Sequence, residues 1–185
     1  AQAVNDMQPD LIVVAGDIFD NEYEAVPEPD RIAAALASMH STYGAYACWG
    51  NHDLSEPILA GFTWDTEDEE KNDPQMAGFL RRAGINLLED EKVTLKNGVQ
   101  LVGRKDPSRD RKLGDERLSP AEWAGLLEPE KPAFVIDHQP KELEALAEAG
   151  FDLDLSGHTH DGQVFPSNLI MGFLWENPCG MVQIK

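Results

Sequence analysis

The chain has 185 residues, of which 42% are hydrophobic, and its formal net charge is −19 at pH 7. This length and apolar fraction are typical of one globular domain with a buried core. So strong a negative charge argues against a broad interface with a nucleic-acid backbone, and we expect no nucleic-acid partner. The two cysteines, Cys48 and Cys179, form no Cys-x-x-Cys pair, which argues against a disulfide framework and a thiolate zinc site.

The first half of the chain alternates strand-like and helix-like patterns. In chain order these predict a strand at 11–15, a helix at 30–40, a strand at 45–48, a helix at 73–84 and a strand at 85–88. The first strand is continuously apolar, as in a buried parallel sheet. The second helix has clear end signals, because Asp73 and Pro74 are an N-cap and first-turn pair and Gly84 is a common terminator.

The second half continues the alternation and adds one hairpin. It predicts strands at 93–95 and 100–103, a helix from 119, a strand at 133–136, a helix at 140–150, and strands at 151–155 and 182–184. The turn Asn97-Gly98 is a strong hairpin signal. Ser119 and Glu122 have the spacing of a capping box. Alternating strands and helices of this kind predict an α/β fold with a parallel or mixed sheet and helices on its faces.

Short polar strings follow four of the predicted strands. They are Gly16-Asp17, Gly50-Asn51-His52-Asp53, Asp137-His138 and Gly157-His158-Thr159-His160, and they hold four of the five histidines. His40 lies outside them, at the end of a predicted helix, where we expect a surface or capping role. In parallel sheets ligands bind at the carboxyl ends of the strands, so we expect these strings to meet in one site.

The side chains in these strings suit a hard or borderline divalent metal. Asp17 offers a carboxylate that can bridge two cations, Asn51 offers a neutral amide oxygen, and the histidines offer imidazole nitrogens. Such a mixed oxygen and nitrogen set fits manganese, iron or zinc. His158 and His160 are two positions apart, so in an extended segment they point to the same side and can each bind one of two neighbouring ions.

In this order the strings resemble those of the calcineurin-like metallophosphoesterase family. That family has an Asp-x-His motif, then Gly-Asp-x-x-Asp, Gly-Asn-His-Asp/Glu, a lone His and Gly-His-x-His, and the last four are present here. The strings at 137–140 and 155–166 look like those of a bacterial branch whose members are often membrane-associated. The resemblance implies an α/β sandwich of mixed sheets flanked by helices, incomplete at both ends of the chain.

The resemblance also implies a ligand set and a reaction. It assigns metal binding to Asp17, Asn51, His138, His158 and His160, with Asp17 bridging the ions and His160 on the first of them. The cofactors would be two divalent ions, manganese, iron or zinc. Two cations about 3.5–4 Å apart can clamp the attacking and leaving oxygens and lower the pKa of a shared water. The implied function is hydrolysis of phosphate esters by a metal-bound hydroxide, without a protein nucleophile.

His52 is expected to act on the substrate rather than on the metals. By resemblance it donates a proton to the leaving oxygen or stabilises its charge, with Asp53 orienting its ring. Asp20 would lie just outside the metal ligands. An ordinary hydrogen-bonded loop histidine is the alternative interpretation of His52.

The Asp-x-His motif of the family is not in the sequence. It would lie before Ala1, and the chain begins without Met in a helix-like pattern, so we expect a fragment of a longer protein. Residues 1–185 would form one metallophosphoesterase domain truncated at both ends. The first metal would then keep only Asp17 and His160, and we expect the fragment to be impaired. The sequence has no apolar stretch long enough to span a bilayer, and the resemblance alone suggests a parent protein at a membrane surface.

Three further segments have two interpretations each. The acidic run 65–70 is either a solvated loop, which we expect, or a calcium or partner site. The apolar run 165–175 either packs within the protein or rests on a lipid surface. A basic segment either contacts phosphate or forms a solvated loop. Its members are Arg104, Lys105, Arg109, Arg111 and Lys112.

Two other functions are alternatives to a general phosphoesterase. One is a phosphodiesterase acting on a lipid-linked or nucleotide-like pyrophosphate. Rates on bis-p-nitrophenyl phosphate and p-nitrophenyl phosphate separate a preference for diesters from one for monoesters. The other is a non-catalytic metal-binding or interaction module that keeps the fold. An intact Asp-x-His motif in the upstream sequence would favour the enzyme.

Overall fold

The computed structural model describes residues 1–53, 58–59, 62–63, 73–108, 114, 116–160 and 175–184. Within them the structure has α1 (Gln2–Asp6), α2 (Pro29–Ala37), α3 (Pro74–Arg82), α4 (Pro120–Ala124) and α5 (Leu143–Ala149), and a 3-10 helix at Tyr23–Ala25. The strands are β1 (Ile12–Ala15), β2 (Ala45–Cys48), β3 (Ile58–Leu59), β4 (Phe62–Thr63), β5 (Ile85–Leu87), β6 (Glu91–Thr94), β7 (Gln100–Gly103), β8 (Ala133–Ile136) and β9 (Leu153–Leu155).

Two larger sheets organise these strands. In the first, β1, β2 and β5 lie in that order and pair in parallel, with Ala15 opposite Cys48 at the carboxyl end. In the second, the order is β6, β7, β8 and β9. Here β6 and β7 form the antiparallel hairpin predicted at Asn97-Gly98, and the other pairs are parallel. β3 and β4 form a separate short antiparallel pair. The predicted α/β class with parallel and mixed sheets is confirmed.

The two larger sheets pack face to face, and helices cover their outer faces. An apolar cluster between the sheets contains Cys48, Leu88, Leu95, Val99, Leu101 and Ile136. The outer face of the first sheet packs on Ala33 of α2 and on Met76, Phe79 and Leu80 of α3. The outer face of the second sheet packs on Trp123 of α4 and Leu146 of α5. The order of layers is therefore helix, sheet, sheet, helix, as in the sandwich that the family resemblance implies.

Most predicted elements are confirmed, although several ends differ: α2 ends at Ala37 rather than at 40, and β6 begins at Glu91 rather than at 93. β2, β7 and β8 have the predicted limits. The Asp73 side chain accepts the Gln75 N–H at 2.7 Å and so begins α3 with the predicted cap. Ser119 and Glu122 form the predicted capping box at the start of α4. Local capping chemistry therefore explains where these two helices begin.

Two further differences have a structural explanation. The helix predicted from 140 begins at Leu143, because Glu142 has a left-handed backbone (φ 61°) that cannot continue a helix toward Pro140. The strand predicted at 182–184 is not formed. Met181 is 97% exposed and Val182 is 48% exposed, so this segment lies on the surface rather than against a sheet edge. Apolar composition alone does not make a strand without a neighbouring strand to pair with.

Arg104 is the centre of a buried ion-pair network. Its side chain is fully buried and donates to Asp137 Oδ2 at 2.7 Å and to Glu142 Oε2 at 2.8 Å. Arg117 pairs with the same two carboxylates. The network connects the end of β7 to the end of β8 and the start of α5. Neither sequence interpretation holds for Arg104, which is neither a phosphate contact nor a solvated loop residue.

The other members of the three ambiguous segments lie mainly outside the described residues. This is so for the acidic run 65–70, for 109–112 of the basic segment, and for 165–174 of the apolar run. Trp175, the last residue of the apolar run, is described and packs within the protein against the ring of His158.

Replacing Arg104 with Met should lower the free energy of unfolding by about 3–5 kcal/mol, because the buried Asp137 would lose its closest cationic partner. Arg31→Met is the matched control. Arg31 pairs with Glu28 at the surface, where such a pair contributes at most about 1 kcal/mol. Urea unfolding followed by circular dichroism measures both variants. Equal losses in the two variants would contradict the buried-pair assignment.

Candidate metal centre

Four strand ends bring the predicted polar strings to one edge of the sandwich. β1 leads into Asp17, β2 into Asn51, β8 into His138 and β9 into His158. Parallel neighbours end at the same edge of a sheet, so side chains that are far apart in sequence can meet there. The structure places a side-chain atom of Asp17, of Asn51 and of His158 within contact range of His138 Nε2.

Asp17, His138 and His158 form a compact cluster, in which one ligand atom from each side chain lies within 4.8 Å of the others. His138 Nε2 lies 3.2 Å from Asp17 Oδ2 and 2.9 Å from His158 Nδ1. The same nitrogen lies 3.0 Å from Asn51 Oδ1. Four of the five predicted metal ligands are therefore adjacent, and His138, which is buried, is at their centre.

The proton position on His138 explains why this cluster fits a cation. Its Nδ1 lies 2.7 Å from Ala15 O, and because a carbonyl oxygen only accepts, Nδ1 carries the proton. In the neutral ring, Nε2 then presents a lone pair to a carboxylate oxygen, an amide oxygen and a second imidazole. The carboxylate and amide oxygens can only accept, and the neutral His138 ring offers them no proton from Nε2. A divalent cation with mixed oxygen and nitrogen ligands would satisfy all of them.

The electrostatics of the cluster keep two ligands in their metal-binding forms. Burial, followed by the charge of His138, lowers the pKa of His158 to about 4, so this ring is neutral at pH 7. Burial raises the pKa of Asp17, but its hydrogen bond to His138 and the nearby histidine charges outweigh burial and give a net lowering. Asp17 is therefore ionised at neutral pH, and both side chains offer lone pairs to a cation.

The pKa of His138 shifts upward, in the opposite direction from the pKa values of His158 and Asp17. Burial lowers its pKa, but the hydrogen bonds to Asp17 and to the Ala15 carbonyl, together with the charge of Asp17, give a net rise. A proton on Nε2 occupies the place that a metal ion would take. Metal binding at this nitrogen therefore releases a proton.

The loops that hold the ligands have uncommon backbone geometry. Asp17, His158 and His160 have positive φ values of 51°, 67° and 49°. Residues other than glycine seldom adopt this left-handed region, and they concentrate at functional sites where surrounding contacts hold them. The segment from His158 to His160 is therefore not extended, and the reason for predicting that the two rings share one side does not hold.

Two glycines allow the ligand loops to approach each other. A Cβ on Gly16, whose φ is 80°, would lie 2.5 Å from Gly50 N and 2.6 Å from His138 Nδ1. A Cβ on Gly50 would lie 2.8 Å from His138 Cε1 and closer still to Asp17. Any side chain at either position would therefore displace a proposed ligand.

His52 is held through both its backbone and its ring. Its N–H donates to Asp17 Oδ1 at 2.9 Å, and its ring Nδ1 lies 2.7 Å from Asn21 Oδ1. Asn21 is fully buried, and its own N–H donates to His52 O at 2.9 Å. Because the amide oxygen accepts, Nδ1 of His52 is the donor, and Nε2 is the ring atom left to face a substrate.

Asn21 was not among the predicted site residues, and its only signal in the sequence is its position directly after Gly-Asp-x-x-Asp. The ring contact expected of Asp53 is made by Asn21, and Asp20 is exposed. Asp53 is buried and ties two loops together. Its Oδ1 accepts the N–H groups of Ile18 and Phe19 at 2.7 and 2.8 Å, and its Oδ2 accepts that of Gly50 at 2.7 Å.

His160 is exposed and is not part of the cluster formed by Asp17, His138 and His158. It lines, together with His158, a cavity of about 620 Å³ that also contacts Asp154 and Cys179. The assignment of His160 to a first metal stays a prediction.

The layered sheets and the carboxylate, amide and imidazole side chains at their strand ends are the features that the family resemblance implies. The family model described as calcineurin-like phosphoesterase matches residues 1–162. The chain therefore belongs to the calcineurin-like phosphoesterase family, as its motifs suggest.

Several curated proteins are similar to the chain. An uncharacterized metallophosphoesterase of Helicobacter pylori strain J99 is 30% identical, over 92% of this chain and 41% of that protein. The UDP-2,3-diacylglucosamine pyrophosphatase LpxG of Chlamydia trachomatis is 24% identical, over 89% of this chain and 57% of its own length. The phosphodiesterase YaeI of Escherichia coli is 30% identical, over 86% and 52%. The chain thus spans about half the length of these relatives. No solved structure matches it significantly.

Gly50→Ala should destabilise the protein by about 1–3 kcal/mol, because the added methyl group overlaps Asp17 and His138. Displacing these ligands should also weaken manganese binding about tenfold or more. Gly78→Ala is the control, since its Cβ would meet only the end of the Arg82 side chain at 3.5 Å. In helix α3 that change should stabilise by about 0.5–1 kcal/mol. Thermal unfolding and calorimetric metal titration measure both effects, and an unchanged manganese affinity in Gly50→Ala would refute the close approach.

Proposed function

We propose that the chain hydrolyses phosphate esters at a centre of two divalent ions, manganese, iron or zinc, with a metal-activated water as the nucleophile. The observation that carries this proposal is the convergence of a carboxylate oxygen, an amide oxygen and a second imidazole nitrogen on His138 Nε2. Membership of the calcineurin-like phosphoesterase family supports the reaction class. When bound, the ions would supply Lewis acidity toward the phosphoryl group and the activated water.

The proposed ligands divide unequally between the two ions. One ion would be held by Asp17, Asn51, His138 and His158. The other would share Asp17 and take His160. Asp17 suits a bridging position because its two oxygens face different ways, Oδ2 toward His138 and Oδ1 toward the His52 loop. Because four side chains serve one ion and two serve the other, we expect one tightly bound ion and impaired activity in the 185-residue chain.

His52 would assist departure of the leaving group. Its Nδ1 is held by Asn21, and its backbone N–H is held by Asp17, so the ring is fixed beside the proposed metal ligands. When the ring is protonated, Nε2–H can donate to the leaving oxygen as charge develops there. A positioned general acid of this kind typically contributes about 10²–10⁴-fold to the rate.

A second candidate function is cleavage of a lipid-linked or nucleotide-like pyrophosphate. The observation in its favour is the similarity to LpxG, whose name describes a UDP-2,3-diacylglucosamine pyrophosphatase. A pyrophosphate carries a second anionic group beside the phosphoryl group that reacts. Because the reacting group is the same as in a phosphate ester, the same proposed ions would serve both substrate classes. The alternative in which the protein is not an enzyme is a non-catalytic metal-binding or interaction module with the same fold.

We also propose that residues 1–185 belong to one domain. The apolar cluster between the sheets draws on segments from β1 to β8, which supports a single folding unit. Within the described residues, no helix is both long enough and apolar enough to cross a bilayer. Association of the parent protein with a membrane surface stays a prediction.

Calorimetric titration of the metal-free chain with manganese tests the proposed function, followed by assays with p-nitrophenyl phosphate and bis-p-nitrophenyl phosphate. We expect one tight ion per chain, weak turnover, and higher turnover in a longer version carrying an upstream Asp-x-His motif. Failure to bind manganese, iron or zinc would overturn the proposal. Tight metal binding without turnover of either ester by the longer version would favour the non-catalytic module.

Asp17→Asn should remove both ions from a protein version that binds two, because the bridging carboxylate loses its charge. His138→Ala should mainly remove the ion shared with Asn51 and His158. Plasma emission spectroscopy of the purified variants counts the metals. His40→Ala is a matched control outside the site and should keep both ions. Loss of the same single ion in Asp17→Asn and His138→Ala would show that Asp17 is not a bridge.

His52→Ala should slow esters with poor leaving groups by about 10²–10⁴-fold while activated aryl esters are affected much less. The reason is that a poor leaving group depends on proton donation, whereas nitrophenolate leaves without it. Rates across a series of substituted phenyl phosphates measure the difference, and metal content is checked in the same samples. Equal rate losses across the series would exclude the leaving-group role.

A further inference from the structure

Trp175 and Lys141 lie beside the proposed metal ligand His158. The Trp175 ring lies edge-to-face with the His158 ring, with 4.7 Å between centroids. Lys141 Nζ lies over the Trp175 ring, 4.7 Å from its centroid. The ammonium group is therefore stacked on an aromatic ring that itself contacts a proposed metal ligand. We call Lys141 and Trp175 the cationic wall.

Hydrogen bonds on both sides hold the cationic wall in place. The carboxylate of Glu176, the neighbour of Trp175, accepts the N–H groups of Glu142 and Leu143 at 2.8 and 2.9 Å. These two residues directly follow Lys141 in the chain. On the other side, Thr159 Oγ1 donates to Pro178 O at 2.6 Å. The segment after Trp175 is thus tied to the start of α5 and to the loop that carries His158.

The position of Lys141 contrasts with that of the nearby arginines. Arg104 and Arg117 both pair with Asp137 and Glu142, so their charges are largely compensated. Across the described part of the chain, Lys141 forms no ion pair with a carboxylate, and its contact is the face of Trp175. An ammonium on an aromatic face keeps its N–H donors on the opposite side available for an anion.

We propose that Lys141, supported by Trp175, binds a phosphate oxygen of the substrate beside His158. This inference rests on the proposed function and adds a substrate-binding residue to it. In a protein of net charge −19, a fixed cation near the proposed metal ligands offsets part of the repulsion that an anionic substrate meets. The phosphate oxygen belongs either to the phosphoryl group that reacts or to a second phosphate next to it.

Lys141→Met removes the charge and keeps an unbranched apolar side chain, and Lys141→Arg keeps the charge. Lys131→Met is the matched control, because Lys131 lies at the opposite end of β8 from His138 and pairs with Glu128. Each protein is titrated calorimetrically with inorganic phosphate and with pyrophosphate. The titrations are done on the metal-free protein and on protein that has been loaded with manganese and then freed of unbound metal. The metal content of every sample is counted.

Lys141→Met should weaken anion binding about tenfold, as expected for one charge-assisted hydrogen bond. Lys141→Arg should restore most of the affinity, and Lys131→Met should match the unchanged protein. Equal weakening for both anions would assign Lys141 to the reacting phosphoryl group, and weakening for pyrophosphate alone would assign it to a second phosphate. Either result supports the proposal. The difference should shrink as salt is added, because the contact is partly exposed.

The metal counts keep this inference separate from the proposed function. If the unchanged protein binds no metal, the proposed function fails, and the metal-free titrations still compare Lys141→Met with the control. If metal binds normally and Lys141→Met binds both anions as tightly as Lys131→Met, the cationic wall is not an anion site and the inference is overturned. Loss of affinity that Lys141→Arg does not restore would also overturn it.

Discussion

The hydrogen bond from His138 Nδ1 to the carbonyl oxygen of Ala15 is the contact on which the candidate centre depends. It connects the end of β8 in the mixed sheet to the end of β1 in the parallel sheet, at the edge where the ligands meet. The same bond decides which ring nitrogen carries the proton, and so directs the Nε2 lone pair toward Asp17 and His158. One contact between a side chain and the backbone thus couples the packing of two sheets to the chemistry of the cluster.

The loops around this contact are shaped by the backbone more than by side-chain packing. Gly16 and Gly50 leave no room for a methyl group, and the buried carboxylate of Asp53 gathers three backbone N–H groups from the loops that carry Asp17 and Asn51. A left-handed residue other than glycine costs of order 1–3 kcal/mol. The hydrogen bonds of Asp53 are one means by which the fold holds Asp17 in that conformation.

Periodicity and capping residues predicted the fold well because they act locally. The Asn97-Gly98 turn and the caps at Asp73 and Ser119 need only their own neighbours. The start of α5 could not be predicted, because it is set by Glu176, a residue far along the chain. In the centre, motif spacing predicted Asp17, Asn51, His138 and His158 as neighbours. It missed Asn21, and it placed Arg104 wrongly, since burial and ion pairing depend on how distant segments pack.

The separation of the ligands along the chain has a consequence for folding. Ala15 and His138 are 123 positions apart, and the ligand cluster takes side chains from both sheets. Contacts between such distant segments form slowly, because a long loop must close first. The proposed cation site therefore forms only after the two sheets have docked, and partly folded chains would have little affinity for the ion. An ion that binds only the completed sandwich stabilises it by mass action. Its binding free energy would therefore favour the correctly folded chain over partly folded ones.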